Sequence, residues 1–363
     1  MSARSDVKAV ATTAVTTLTR RRTHRRATGV AAAMLAAILT VSSCSSSTTD
    51  TSQDGSDGSG APMQTVTLMT GAKNVIAADL PFVVAKESGF YADEGLDVNI
   101  TFGDGYDTAI RLVGTGKADF AEADLASITG AVGEGIPVKS VAIYSQISPA
   151  GLVFNTAKPI KGPEDIKGMK IATSAGSGSG KVFDAWLKAN NITDADFTRV
   201  VVPGHQKPIV FAQGQVDAYV GLGYDDLPEA RKTGNPDNVN FYYFAENNIE
   251  VPGVAVAASN KIIDEKPDVV KKFLAATKKG FDSAKADVPN AVALAQKLQP
   301  TTNAKLLTDQ WNIFLEAEQA AANTAWGSQS EEAWNQTIEV FNTGAPQPTS
   351  NYYTNDLLPT ESK

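Results

Sequence analysis

Between residues 66 and 259 short apolar runs alternate with segments whose apolar positions recur at helical spacing. That pattern predicts parallel α/β sheets. The stretch 90–124 shows the unit plainly. An extended run over 96–102 enters the turn Gly103-Asp104-Gly105, a helical segment over 106–113 is stopped by Gly114 and Gly116, and a second strand covers 120–123. Such a βαβ unit sets the carboxyl end of a strand beside the amino end of a helix, whose unpaired N–H groups can hold a polar ligand. Further strands are expected over 66–70, 138–144, 151–155, 169–172, 198–202, 218–220, 238–244 and 254–259. Helices are expected after Pro81 as far as Gly89, and over 127–132, 181–189 and 208–212. Beyond Pro267 the periodicity is almost entirely helical (269–285, 290–297, 305–322 and 331–341), before a polar tail.

One pattern occurs twice. Residues 110–120 read IRLVGTGKADF and residues 208–218 read PIVFAQGQVDA, with Gly116 matching Gly214 and Asp119 matching Asp217. In matching βαβ contexts this implies two lobes of similar build, and a cleft between lobes is where small ligands bind.

Length and charge sharpen the picture. The 363 residues suffice for about two domains. The amino end is separate: an arginine cluster (Arg20, Arg21, Arg22, Arg25, Arg26) precedes an apolar run over 30–41 and then Ser42-Ser43-Cys44. That is the order of a secretory signal, with too short an apolar run to span a bilayer. The Val-Ser-Ser-Cys ending resembles a bacterial lipobox, which implies a lipoprotein signal over 1–43 and a lipid on Cys44, the chain's only cysteine. Residues 44–63, rich in Ser, Thr, Asp and Gly, read as a flexible tether. Beyond residue 43 there remain 25 basic and 39 acidic residues, a net charge of −14. That acidity argues against nucleic acid and against lying on anionic lipid.

Catalytic chemistry is sparse. His205 is the one histidine outside the signal, and there is neither a Gly-x-Ser-x-Gly elbow nor a His-Glu-x-x-His pair, so no catalytic residue, metal or cofactor is expected. The pairs Asp225-Asp226 and Glu122/Asp124 read as solvated surface. The run 173–180 (TSAGSGSG) ends in Gly180-Lys181 but lacks the phosphate-loop pattern, having Ala175 and Val182 where that pattern needs Gly and Ser or Thr. It remains a strand–loop–helix entry whose Ser174, Ser177 and Ser179 can hold a polar group. Tyr106, Tyr144 and Tyr224 near strand ends can stack on a flat ligand. Asp124 and Asp225, just past strands, suit N–H or cationic groups and repel sulfonate or nitrate.

The segments PFVVAKESGFYADEGLDV (81–98), GTGKADFAEAD (114–124), GIPVKSVA (135–142), GPEDIKGMKIAT (162–173) and GQVDAYV (214–220) resemble the ThiY/SsuA-like solute-binding lipoproteins of ABC importers. Members of that family serve thiamine-pyrimidine precursors, alkanesulfonates, taurine or nitrate. The resemblance implies a two-lobed α/β fold of the type 2 periplasmic-binding-protein kind with a helical C-terminal extension. Lobe 1 is then 64–150 with 254–363, and lobe 2 is 151–253. It implies a pocket reached by Asn74, Gly105, Tyr106 and the serine loop, an ABC permease as partner, and an extracytoplasmic, membrane-anchored location. The thiamine-pyrimidine branch carries a Trp-x-Pro-Asn-x-x-His run where this chain keeps only Asn74. A flat nitrogenous solute is the favoured expectation. A sulfonate, taurine or nitrate receptor and a pyrimidine-forming enzyme on the same scaffold are the alternatives.

Overall fold

Two five-stranded sheets organise the chain. The computed structural model describes residues 62–360 except 104, 175–176, 234–237, 247–248, 250, 320–323, 342–343 and 346. The expected signal over 1–43, the lipidation of Cys44 and most of the tether lie outside the described residues.

In chain order the strands are β1 (Gln64–Met69), β2 (Leu96–Thr101), β3 (Phe120–Asp124), β4 (Val138–Ile143), β5 (Ala150–Asn155), β6 (Lys170–Thr173), β7 (Thr198–Val201), β8 (Ala218–Leu222), β9 (Val239–Tyr243) and β10 (Val254–Ser259). The helices are α1 (Leu80–Glu87), α2 (Phe90–Asp93), α3 (Tyr106–Gly114), α4 (Leu125–Gly133), α5 (Gly178–Ala189), α6 (Lys207–Ala212), α7 (Gly223–Thr233), α8 (Asn260–Glu265), α9 (Pro267–Ala286), α10 (Val288–Leu298), α11 (Ala304–Glu318) and α12 (Glu331–Phe341).

The first sheet runs β2-β1-β3-β10-β4 and the second β7-β6-β8-β5-β9. In each, one strand arrives from the other half of the chain and pairs antiparallel with both neighbours: β10 with β3 and β4, β5 with β8 and β9. The two sheets are therefore the same arrangement, built twice.

The sequence repeat marks the equivalent corner of each sheet. Gly116 has φ +72° and Gly214 φ +68°, the left-handed conformation that ends a helix at low cost to glycine. At each, the paired hydrogen bonds of a Schellman turn form: Gly116 to Val113 and Lys117 to Leu112, then Gly214 to Phe211 and Gln215 to Val210. The aspartate three residues on clamps the neighbouring strand. Asp119 Oδ2 accepts from Thr67 N and Asp217 Oδ2 from Lys170 N, each at 2.8 Å.

Buried apolar side chains cover both faces of each sheet. On one face of the first, Phe82, Phe120 and Phe273 pack with α1, α9 and α11, the Phe120 and Phe273 rings stacking at 4.0 Å. On the other face α3 and α4 meet Trp334 and Tyr352. In the second sheet Phe183, Trp186 and Phe244 stack together. Helix α12 serves both bodies, because Trp334 lies in the first sheet's core and Phe341 in the second's.

Two expectations need correcting. The C-terminal tail is not simply polar: Tyr352 is fully buried, and its carbonyl accepts from Ser140 N at 2.8 Å, covering the edge strand β4. Helix α7 forms where no helix is expected, although Pro228 interrupts its pattern. Its buried Tyr224, Leu227 and Ala230 seat it between the second sheet and α11, and that packing overrides the proline.

Candidate functional site

The loops after β2, β3, β6 and β8 each run straight into a helix (α3, α4, α5 and α7), and these helix entries meet between the two bodies. There they enclose a cavity of about 190 Å³, lined by Tyr106, Asp124, Ser177, Ser179, Tyr224 and Phe341 among others. A groove of about 550 Å³, reaching Gly105, Arg111 and Lys181, adjoins it. Two larger surface grooves lie between α7 and α11 and between α5 and α12, and their linings mix charged and amide side chains with apolar ones such as Ile313, Ile249 and Val340.

Both chain crossovers border the cavity, through Ser148, Pro149 and Ala150 on one side and Val251, Pro252 and Gly253 on the other. Gly253 N donates to Ser145 O at 2.9 Å, so the crossovers lie side by side. A Cβ at Gly253 would fall 2.6 Å from Ser145 Oγ, which is why glycine stands there. Glu318, at the end of α11, grips the first crossover. Its carboxylate accepts from Gln146 N at 2.9 Å, Ser145 Oγ at 3.1 Å and Ile147 N at 3.4 Å.

Several expected site residues are brought together: Tyr106, Asp124, Ser177, Ser179 and Tyr224 share the cavity, and Gly105 lines the adjoining groove. Two of these polar groups also hold backbone. Asp124 caps α4, its Oδ1 accepting from Ser127 N at 2.7 Å. Ser177 caps α5, accepting from Gly180 N while donating to Ser174 O, so its hydroxyl is already engaged.

The structure places the others elsewhere. Asn74 is exposed, on a loop whose neighbours Lys73 and Val75 bond to Gln299. The Tyr144 hydroxyl donates to Ala78 O within the core, with its ring edge-on to Phe82. Ser174 Oγ is buried and faces Gly204 rather than the cavity. Asp225 lies behind the cavity, accepting from Gln310 Nε2 of α11 at 3.1 Å. His205 is exposed, in a 3-10 turn away from the cavity.

The solvated-surface reading of the paired carboxylates is overturned. Glu122 is 0% exposed, pointing from β3 to the same side as Phe120. Its Oε2 accepts from Gly71 N at 2.9 Å, while Oε1 has no hydrogen-bond partner. Burial pushes its pKa up to about 7, against the hydrogen bond from Gly71 and the nearby Tyr106 hydroxyl, which favour the ionised form. Burial likewise raises Asp225 to about 8, aided by the charges of Asp226 and Glu122. Asp124 is raised too, chiefly by burial. Two-residue periodicity within β3 already put Glu122 on the Phe120 side, so this acid was legible. Phe341 was not, because nothing local in α12 points to a cleft formed by other elements.

Helix entries from two sheets, converging on a cavity at paired crossovers, make up the two-lobed α/β fold of the periplasmic-binding-protein kind. The periplasmic aliphatic sulphonate binding protein SsuA from Escherichia coli superposes with a TM-score of 0.61, covering 77% of this chain and 86% of that one at 15% identity, which shows the shared fold. The family described as NMT1/THI5 like matches residues 78–291, more than half the chain, and the chain belongs to that family. The riboflavin-binding protein RibY of Chloroflexus aurantiacus is 25% identical over 82% of this chain and 87% of its own length. The 4-amino-5-hydroxymethyl-2-methylpyrimidine phosphate synthase of Candida albicans is 25% identical over 64% of this chain and 71% of its own.

Proposed function

We propose that this protein is the extracytoplasmic solute-binding component of an ABC importer, which captures a flat nitrogenous organic solute between two lobes and releases it unchanged. The lobes are 64–150 with 254–363, and 151–253. The observation that carries the reading is the cavity at the crossovers. It offers the Tyr106 and Tyr224 rings and the Asp124 carboxyl, and no lysine or arginine is among its described lining residues. Aromatic faces favour a planar ring, and a carboxyl favours N–H donors while it repels sulfonate or nitrate. The relatives named for riboflavin and for a pyrimidine accord with that chemistry. Tyr106, Asp124, Ser179 and Tyr224 are the residues proposed to touch the solute. At about 190 Å³ the cavity is below the roughly 300–1,000 Å³ of sites for drug-sized ligands, so a large solute requires the lobes further apart. Lipid on Cys44 supplies the membrane anchor in this reading, and a permease receives the solute.

A pyrimidine-forming enzyme on this scaffold is the second reading, favoured by the synthase among the relatives. A thermal-shift screen of the protein against pyrimidines, flavins, sulfonates, taurine and nitrate separates the possibilities, because a binder stabilises the folded state by mass action. A rise in Tm with a pyrimidine or flavin, the compound being recovered intact, is the expected result. A rise confined to sulfonates, taurine or nitrate, or conversion of the stabilising compound, overturns it.

A further inference from the structure

Behind the cavity lies a feature that solute contact does not explain. Asp79, just before α1, is 0% exposed, as is Glu122 on β3, and both belong to the first-sheet body. Asp225, at the start of α7, comes from the second-sheet body, since α7 packs on β5 and β9. Helix α11, whose Gln310 holds Asp225, also packs on the 77–79 turn that carries Asp79, and the charges of Glu122 and Asp225 each raise the pKa of Asp79, as that of Glu122 raises Asp225. Asp79 Oδ1 and Glu122 Oε1 are both buried without a hydrogen-bond partner. The remaining bonds to the cluster come from neutral donors: Ile76 N to Asp79, Gly71 N to Glu122 and Gln310 Nε2 to Asp225.

We infer that Asp79, Glu122 and Asp225 form a proton-gated lock between the two bodies: protonated, they allow the bodies to pack closed, and ionised, they drive them apart. Three like charges so placed repel strongly, and the fully buried Asp79 and Glu122 have lost their hydration, whereas neutral acids can remain there. Separating the bodies restores water to Asp225 and removes its repulsion with the other two. Among the groups facing the cluster, only the Tyr106 hydroxyl relieves it, by favouring ionised Glu122, and it brings no positive charge. Tyr106 of α3, Tyr144 after β4 and Tyr224 of α7 are neutral phenols, and Asp124 and Asp226 add further negative charge. The cations nearby act elsewhere: Lys207 on Asp226 and Lys181 on Asp124. Among the described residues no group of acids is arranged to hold a metal ion that would replace the missing positive charge. Closure then takes up protons, so acidification favours the closed form.

The inference rests on the receptor reading above, because it requires the bodies to move. Its test uses no solute. The full chain, with Cys44→Ser, receives spin labels at Thr108→Cys on α3 and Lys188→Cys on α5, both exposed positions on opposite bodies, and electron–electron resonance reads the distance between them. The expected result is a shift of the distribution to longer distance on going from acidic to mildly alkaline pH, with the far-UV spectrum unchanged. Asp225→Asn, and separately Glu122→Gln, weaken or abolish the shift, so either one carries the test if the other fails to fold. An identical distribution at both pH values overturns the lock, as does a shift that persists in full in the folded variants or one that follows added potassium chloride at fixed pH. If the lock fails while the thermal-shift screen still finds a binder, the receptor reading stands without it.

Discussion

Gly71 shows how much of the site depends on single atoms. Its N–H holds Glu122, its carbonyl accepts from Gly105 N at 2.8 Å, and the Tyr106 ring lies directly against its Cα. A Cβ there would fall 1.9 Å from Tyr106 Cδ1, far inside contact distance. Gly71→Ala must therefore swing Tyr106 off its seat. The expected cost is about 1–3 kcal/mol, typical of overpacking, seen as a lower urea midpoint together with weaker binding of whichever solute the screen identifies. A midpoint equal to that of the parent protein contradicts this packing account. Residue identity made Tyr106 and Asp124 legible as site candidates, because they follow strands in βαβ units. The same logic failed for Asn74 and Tyr144. Their spacing was right, but the direction in which a side chain leaves a loop depends on packing from α10 and from the core.

Elements were the most legible scale. Strand β10 and helix α12 fall at their expected limits of 254–259 and 331–341, and the repeated Gly-x-x-Asp corner proved to be the same turn-and-clamp device in both sheets. Periodicity is local, so it survives without knowledge of the fold. What it could not show is how α11 reaches back to the crossover. Glu318 is carried there by a helix more than 150 residues further along the chain. Glu318→Ala leaves two backbone N–H groups at the crossover without their acceptor and the Ser145 hydroxyl with only Ile147 O, at an expected cost of about 1–3 kcal/mol in urea unfolding. Because those groups sit where the chain crosses between the bodies, the variant is also expected, on the receptor reading, to change how readily they separate. If unfolding is unaltered, the grip has no energetic consequence.

For the whole molecule, the buried acids set the dependence on pH. Glu122 moves from 4.5 to about 7 and Asp225 from 3.8 to about 8, each chiefly through burial, and Glu318 rises to about 7 for the same reason. Below about pH 4 these groups are protonated in both the folded and unfolded chain. As pH rises toward 8 the unfolded chain releases protons that the folded one retains, so stability falls and then levels off. Asp196, held below its ordinary value by the Thr193 hydrogen bonds, acts only in the more acidic range. Tm is therefore expected to decline from pH 5 to pH 8, less steeply in Glu122→Gln, and a Tm that climbs across that interval contradicts the assignment. The alternation of apolar runs was enough, by itself, to determine the α/β class, the doubled architecture and the helical C-terminal third, since each follows from the short-range geometry of strands and helices. Only the tertiary structure decided which acids are buried and which tyrosines face the cavity. Those outcomes depend on residues more than a hundred positions apart being pressed together, and water is excluded only once the surrounding elements have packed.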